Sequence, residues 1–316
     1  MSLNKYRLHP ISPFVSPVQS DTFAGQLLCA AGEIHGTQKL SELIDLFRRE
    51  QPPFNISSPF PMDCLPMPFL PGLSRQRVSE MLVTRKNKDL SNFLVELKKF
   101  KKKGWLNLKA FERLRNGLSL EALFVDWMGN MDDYPDERQI SGFQPHNSID
   151  RRSNTVLEGG LYFNPVTAYE SGFGFDIYAE VEDRSFFESC LDHVSKSGYG
   201  ADSSTGKGAF IWHKVNEFDA GAFSGQGTHK LLLSHAAAMN MSGFSGYYKL
   251  MTKYGKVWPG FGEPNPFKKP FALFKPGSVF SSLPDKGYIL NNIHSNPEIV
   301  QITRPFCVAV TLEEGL

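Results

Sequence analysis

The residues best suited to hold a ligand lie between Gly198 and Gly208, in the run Gly-Tyr-Gly-Ala-Asp-Ser-Ser-Thr-Gly-Lys-Gly. Four glycines, three hydroxyl residues (Ser203, Ser204 and Thr205) and Lys207 fall within this stretch. A bend without bulky side chains lets main-chain amides approach an anion, and such a nest suits phosphate oxygens. Gly198, Gly200, Ser203, Ser204, Gly206, Lys207 and Gly208 are therefore candidate contacts to a phosphate-bearing partner. Neither familiar nucleotide loop fits. A Walker loop would need glycine at Ala201 and a hydroxyl at Gly208, and a dinucleotide fingerprint would need glycine at Ser203. Both motifs also run from strand to helix, whereas here a helix precedes and a strand follows. The plain alternative is a surface turn.

Catalytic groups are sparse. The eight histidines form no H-E-x-x-H and no His-Cys cluster, and no G-x-S-x-G is present, so no metal, cofactor or serine nucleophile is expected. His35, at the end of an amphipathic segment, could serve as a general base in RNA cleavage. A histidine there also complements the helix dipole. Asp132 and Asp133 read as an acidic loop rather than a metal pair. The four cysteines are scattered without a C-x-x-C, which fits a reducing compartment. The N-terminus is strand-like with no leader, and no apolar run is long enough to span a bilayer, so a cytoplasmic protein without membrane partner is expected.

At 316 residues and 41% hydrophobic content, the chain can bury one large core or two smaller ones. Its 34 basic and 33 acidic residues nearly cancel. The balance is local as well as global: Pro71 to Arg115 carries thirteen Lys or Arg against four acids, and Glu121 to Glu137 carries six acids and no Lys or Arg. The basic span is either a polyanion footprint or a solvated helix face.

The elements that must position the glycine-rich bend alternate regularly. Lys5 to Ile11 reads as a strand, and Ser20-Asp21-Thr22 supplies N-cap chemistry for a helix to about Ile34. The free amides at that helix start, near Ser20, Asp21 and Thr22, are a second candidate phosphate site. A helix over Leu40–Arg49 and a short strand over Phe54–Ser57 follow. After a long irregular stretch come a strand over Phe173–Val181, a helix over Glu182–Ser197 and a strand over Ala209–Val215. Within the irregular stretch, Leu90–Phe100 and Leu108–Arg115 read as short helices, and Leu118–Trp127 and an acidic loop follow. Pro145 to Tyr162 reads as a hairpin arm with a polar tip around Asn147 to Thr155, bearing Arg151 and Arg152. The order strand-helix-strand-strand-helix-strand is the ferredoxin-like, RRM-type pattern. Beyond residue 219, strands are expected at Lys230–Ala237, Phe271–Phe274, Gly287–Leu290 and Phe306–Leu312, with a short helix at Tyr247–Tyr254. The expected architecture is α+β: a ferredoxin-like unit over residues 1–219, with an insertion at about 59–171, and a degenerate second unit over 220–316.

A glycine-rich bend between the second helix and fourth strand of such a unit resembles the RAMP proteins, the RNA-binding subunits of CRISPR systems. Ser12-Pro-Phe, Ser20-Asp-Thr-Phe-Ala-Gly25, Leu65-Pro-Met-Pro-Phe-Leu-Pro71, His146-Asn-Ser-Ile-Asp-Arg151, Glu158-Gly-Gly-Leu-Tyr162 and Arg304-Pro-Phe-Cys-Val-Ala-Val310 resemble, in order and spacing, the fourth subunit of the type III-A (Csm) effector complex. The resemblance implies a non-catalytic subunit in antiviral defence that grips the 5′ tag of guide RNA. It would dock a large polymerase-like subunit beside a backbone RAMP subunit. The arm would be a thumb over the guide, with Asn147, Arg151 and Arg152 as contacts, and the tag bases would be read as unstacked single strand. A RAMP endoribonuclease with His35 as base, and an adaptor whose bend binds nothing charged, are the alternatives.

Overall fold

The structure is a computed structural model that describes residues 1–84, 90–136, 139–237, 245–258, 262–284 and 288–313. The chain opens with β1 (Ser2–Pro10), α1 (Ser20–His35), α2 (Thr37–Arg48) and β2 (Phe54–Ile56). A long insertion follows: β3 (Phe60–Pro61), β4 (Cys64–Pro66), α3 (Arg75–Thr84), α4 (Leu90–Phe100), β5 (Trp105–Asn107), α5 (Leu108–Leu114) and α6 (Leu120–Gly129). It continues into a hairpin arm of β6 (Gln139–Asp150) and β7 (Thr155–Tyr169). The chain then returns through β8 (Phe175–Val181), α7 (Arg184–Ser197) and β9 (Phe210–Lys214).

These returning strands close one sheet in the order β2-β8-β1-β9, every neighbouring pair antiparallel, with β3 also paired to β8. The strand alternation seen in the sequence decides the two faces. Phe175, Ile177, Ala179 and Val181 of β8 join Phe23, Leu27 and Ala31 of α1 and Phe187, Leu191 and Val194 of α7 in one core. Spacings of three and four residues put the helical members on one stripe, so the helices cover that face. The opposite face is also covered. There Asp176 is fully buried and accepts from Arg7 Nε at 2.7 Å, with the Lys5 ammonium 2.9 Å away. Tyr178 beside it packs on Phe223 at 4.4 Å between ring centres. Burying that carboxylate is tolerable because two cations and the Asp63 amide satisfy it.

The insertion shares a core with the C-terminal half. Phe93, Leu97, Phe100, Phe111, Phe124 and Trp127 cluster with Leu231, Val279, Phe306, Val308 and Val310. The helix expected over Leu90–Phe100 has those bounds, whereas α3 has no counterpart in the sequence reading.

The C-terminal half comprises β10 (His229–Leu232), β11 (Ser245–Tyr247), β12 (Leu250–Lys253), β13 (Phe271–Phe274), β14 (Val279–Ser282), β15 (Ile289–Leu290), β16 (Gln301–Ile302) and β17 (Cys307–Val310). Its main sheet has the order β11-β14-β10-β17, and β12 and β13 form a separate ribbon. Two expectations fail here. Tyr247–Tyr254 is not a helix: the exposed residues Leu250, Thr252 and Tyr254 alternate with the more buried Met251 and Lys253, and β12 pairs with β13 from Leu250↔Phe274 to Lys253↔Phe271. Cross-strand pairing with β13 wins over local helix propensity here. The strand over Lys230–Ala237 ends at Leu232, after which Ala236 makes a single bridge to Phe274. Among the described residues beyond 219 there is no α-helix; part of the expected Gly287–Leu290 strand lies outside the described residues.

Candidate nucleic-acid interface

The glycine-rich bend begins where α7 stops. Gly198 (φ +88°) turns the chain, and Tyr199 inserts into the core with no exposed surface. Its ring stacks on Phe23 at 5.6 Å, and its hydroxyl donates to Pro17 O at 3.0 Å while accepting from Gln19 N at 3.1 Å. The neck of the bend is closed by Tyr199 N donating to Gly208 O at 2.8 Å. A Cβ at Gly208 would lie 2.0 Å from Tyr199 O, and one at Gly198 would lie 2.3 Å from Lys207 O. These glycines are needed for the approach of the bend's own two ends.

The expected cradle of bare amides is therefore largely spent inside the fold. Gly198, Tyr199, Ala201, Thr205, Gly206, Lys207 and Gly208 all donate their N–H within the chain. Gly208 N reaches Pro13 O, and Ala201 N reaches Ser16 Oγ. A bend whose ends are buried must satisfy its own donors. Its crest still faces outward: Ser204, Thr205 and Gly206 are exposed, and Gly200, Ser203 and Lys207 are half-buried. The outward chemistry is two hydroxyls and a lysine.

The hairpin arm meets this crest. Asn164 of β7 donates to Asp202 Oδ2 at 3.0 Å, and His146 Nε2 of β6 lies 3.9 Å from the same oxygen. The His146 ring stacks on Tyr162 across the arm at 5.3 Å. Thr167 of β7 exchanges two main-chain bonds with Phe14, tying the arm's base to the segment that also holds the bend. The turn expected around Asn147 to Thr155 lies between β6 and β7, where Arg152 N donates to the Asp150 carboxylate and Asn154 N to Asp150 O. Asn147, Arg151 and Arg152 are exposed, Arg152 at 94% of its side chain. Six residues of β6 separate the tip from the pair opposite Asn164, so the arginines stand roughly 20 Å from Asp202.

The third candidate group is buried. α1 starts one residue after Gln19, and no side chain caps it, contrary to the expected cap at Ser20–Thr22. Ser20 and Asp21 are buried because the C-terminal half covers them. Ser20 Oγ accepts from His235 N at 2.8 Å. The Lys253 ammonium of β12 lies 2.6 Å from Asp21 Oδ2, donates to Gln19 Oε1, and also donates to Thr22 Oγ1. Burial pushes the neighbouring His235 imidazole down to about 4 and the Lys268 ammonium down to about 8. Asp21 opposes both shifts.

His35 ends α1, exposed and stacked on Phe186 at 5.4 Å, roughly 22 Å from the Ser20 end of the helix. Asp133 is tied to Arg113 at 2.6 Å and to Asn107 at 2.7 Å. Among the described residues no group of three potential metal ligands assembles, and no helix is long and apolar enough to cross a membrane. Burial lifts the thiols of Cys29 and Cys64 to about 12, so neither offers a thiolate near neutrality. Much of the basic span is neutralised locally: Arg77 pairs with Glu80 and Glu121, Lys99 with Glu96, Lys103 with Asp136 and Arg113 with Asp126. Arg115 is buried, donating to Ala222 O at 2.6 Å. Lys98, Lys101, Lys102 and Lys109 are exposed.

No protein-family model matches the chain, and no curated protein matches it. Solved structures do. The chain aligns with one from a Csm1–Csm4 cassette in complex with pppApA at TM-score 0.59 and 18% identity, covering 99% of this chain and 100% of that one. It aligns equally with one from a Csm1–Csm4 cassette in complex with cA4, at TM-score 0.59, 20% identity and the same coverage. A chain of the Csm3–Csm4 subcomplex in the type III-A CRISPR–Cas interference complex aligns at TM-score 0.58 and 14% identity, covering 96% and 98%. The mixed helix-and-sheet fold of this chain is thus one found, over its full length, in subunits of type III-A CRISPR–Cas complexes.

Proposed function

We infer that the chain is the guide-RNA-binding subunit four of a type III-A CRISPR effector complex, without catalytic activity of its own. It holds the repeat-derived 5′ tag of the guide, docks the large polymerase-like subunit, and adjoins a backbone RAMP subunit. The single observation that carries this is the joint between arm and glycine-rich bend at Asp202, which ties the bend's hydroxyls and Lys207 to an arm whose exposed tip bears Arg151 and Arg152. The full-length likeness to chains of the Csm1–Csm4 and Csm3–Csm4 assemblies supports the same reading. The strand order of the first sheet supports a ferredoxin-like unit, and the separate β6–β7 hairpin is the element read as its thumb. Phosphate contacts of this kind release counterions, so the grip weakens as salt rises.

The test is guide retention in the purified complex. Arg151→Ala with Lys207→Ala loosens the tag while the protein keeps its melting temperature; full retention of guide by that variant overturns the reading. Incubation of the pure chain with precursor guide RNA, without metal, leaves the RNA intact. Site-specific cleavage lost in His35→Ala would replace the binding subunit by an endoribonuclease.

A further inference from the structure

The ribbon of β12 and β13 has two chemically different sides. Between Ser245 and Lys275 there are six lysines and a single acid, Glu263. On the inner side, Lys253 is spent on Asp21 and Gln19. Lys268 is likewise spent, donating to Val300 O at 3.2 Å and Gln301 Oε1 at 2.8 Å. These two half-buried lysines pin the ribbon to the start of α1 and to β16. The outer side shows Tyr254 at 78% and Phe267 at 59% exposure, with Lys256 and Lys269 exposed beside them. The pairing continues past β12: Lys256 bridges Phe267, and its ammonium lies 5.2 Å from that ring's centre. Glu263, the acid of this segment, is itself engaged by Asn296 at 2.6 Å.

Exposed rings with interleaved lysines are what a single strand of nucleic acid requires. Bases stack on the rings and phosphates meet the ammonium groups. A protein partner would favour an apolar centre depleted of lysine, which this side is not. We propose that the outer side of the β12–β13 ribbon is a stacking platform for single-stranded RNA, with Tyr254 and Phe267 as base platforms and Lys256 and Lys269 as phosphate contacts. Through Lys253 and Gln19 the ribbon abuts the same Pro13–Gln19 segment that anchors the glycine-rich bend. The proposal deepens the RNA-binding reading above and rests on it.

The experiment titrates fluorescently labelled single-stranded RNA, guide sequence and oligouridine in parallel, with the full chain and its variants. Tyr254→Ala with Phe267→Ala lowers affinity for both RNAs by about tenfold or more, with the salt dependence unchanged. Lys256→Ala with Lys269→Ala reduces the slope of log K against log salt by about 1.4, at roughly 0.7 per phosphate contact on a single strand. A loss seen with guide but not oligouridine narrows the platform to the guide's own bases and still supports it. If the parent chain binds and neither double variant changes affinity or slope, the platform is wrong and the RNA-binding reading stands. If the parent binds no RNA, both fall. Unchanged RNA affinity with loss of a co-purifying subunit would make the ribbon a protein-docking surface and overturn the proposal.

Discussion

The Lys253 ammonium lies 2.6 Å from the Asp21 carboxylate, joining the C-terminal ribbon to the first turn of α1. Asp21 has no exposed side-chain surface, and Lys253 keeps 15% of its own. Removing one partner strands the other charge in a low-dielectric site, which costs about 3–5 kcal/mol. Gln301 also donates to Asp21 Oδ2 at 3.1 Å, which places the loss for Lys253→Met at the lower end of that range. Adding Asp21→Asn to Lys253→Met recovers much of the loss. Denaturant unfolding of the two single variants and the double variant yields the coupling energy directly.

Gly208 and Gly206 both have positive φ, at +72° and +84°, yet they differ in what surrounds them. A Cβ at Gly208 would collide with Tyr199 O, while one at Gly206 meets nothing within 4 Å. Gly206→Ala therefore costs only the left-handed backbone penalty, about 1–2 kcal/mol. Gly208→Ala must open the neck of the bend and displace buried Tyr199, which exceeds about 4 kcal/mol. Thermal unfolding should rank the two in that order; equal losses would show that the neck relaxes freely.

The bend, its flanking helix and strand, and the arm were legible because each depends on local pattern. Phe187, Cys190, Leu191 and Val194 recur at helical spacing, and the arm's polar turn is bounded by β-rich runs. What the sequence did not reveal depends on distant partners. The burial of Ser20 and Asp21 follows from Lys253 and His235, more than 210 residues away. The capture of the Ala201, Gly208 and Ala209 amides follows from Ser16, Pro13 and Ser12, which no periodicity connects to the bend. The ribbon at 250–274 carried no polarity signal of this kind: Leu250 and Tyr254 face outward and Lys253 inward, so the alternation of exposure is set by pairing with β13 rather than by residue type.

His235 gives the fold an acid-sensitive point. Its ring is buried, its Nδ1 lies 2.9 Å from Ser58 Oγ, and burial lowers its pKa from 6.5 to about 4. The unfolded chain takes up this proton below about pH 6.5, and the folded chain takes it up only near pH 4. Stability from this group is therefore complete above pH 6.5 and is lost as pH falls towards 4, a change of about 3 kcal/mol. His235→Asn, which cannot titrate, should flatten the melting temperature between pH 6.5 and 4 relative to the parent. A parallel decline in both proteins would assign the acid limb to other groups.

The contact of Asn164 with Asp202 couples the arm to the glycine-rich bend without sitting in the core. The donor and acceptor are both at the surface edge, so Asn164→Ala changes global stability by no more than about 0.5–1 kcal/mol. Its effect falls on geometry. Without that bond the arm retains its base contacts at Phe14 and Thr167, but its polar side can swing away from the crest at Ser203 and Ser204. If the two elements grip one RNA strand, the variant complex releases guide faster while melting at the parent temperature. Asp202→Asn, which preserves the left-handed backbone at φ +59° and can still accept from Asn164, retains the guide. Equal dissociation rates for the parent, Asn164→Ala and Asp202→Asn would mean that arm and bend hold RNA independently.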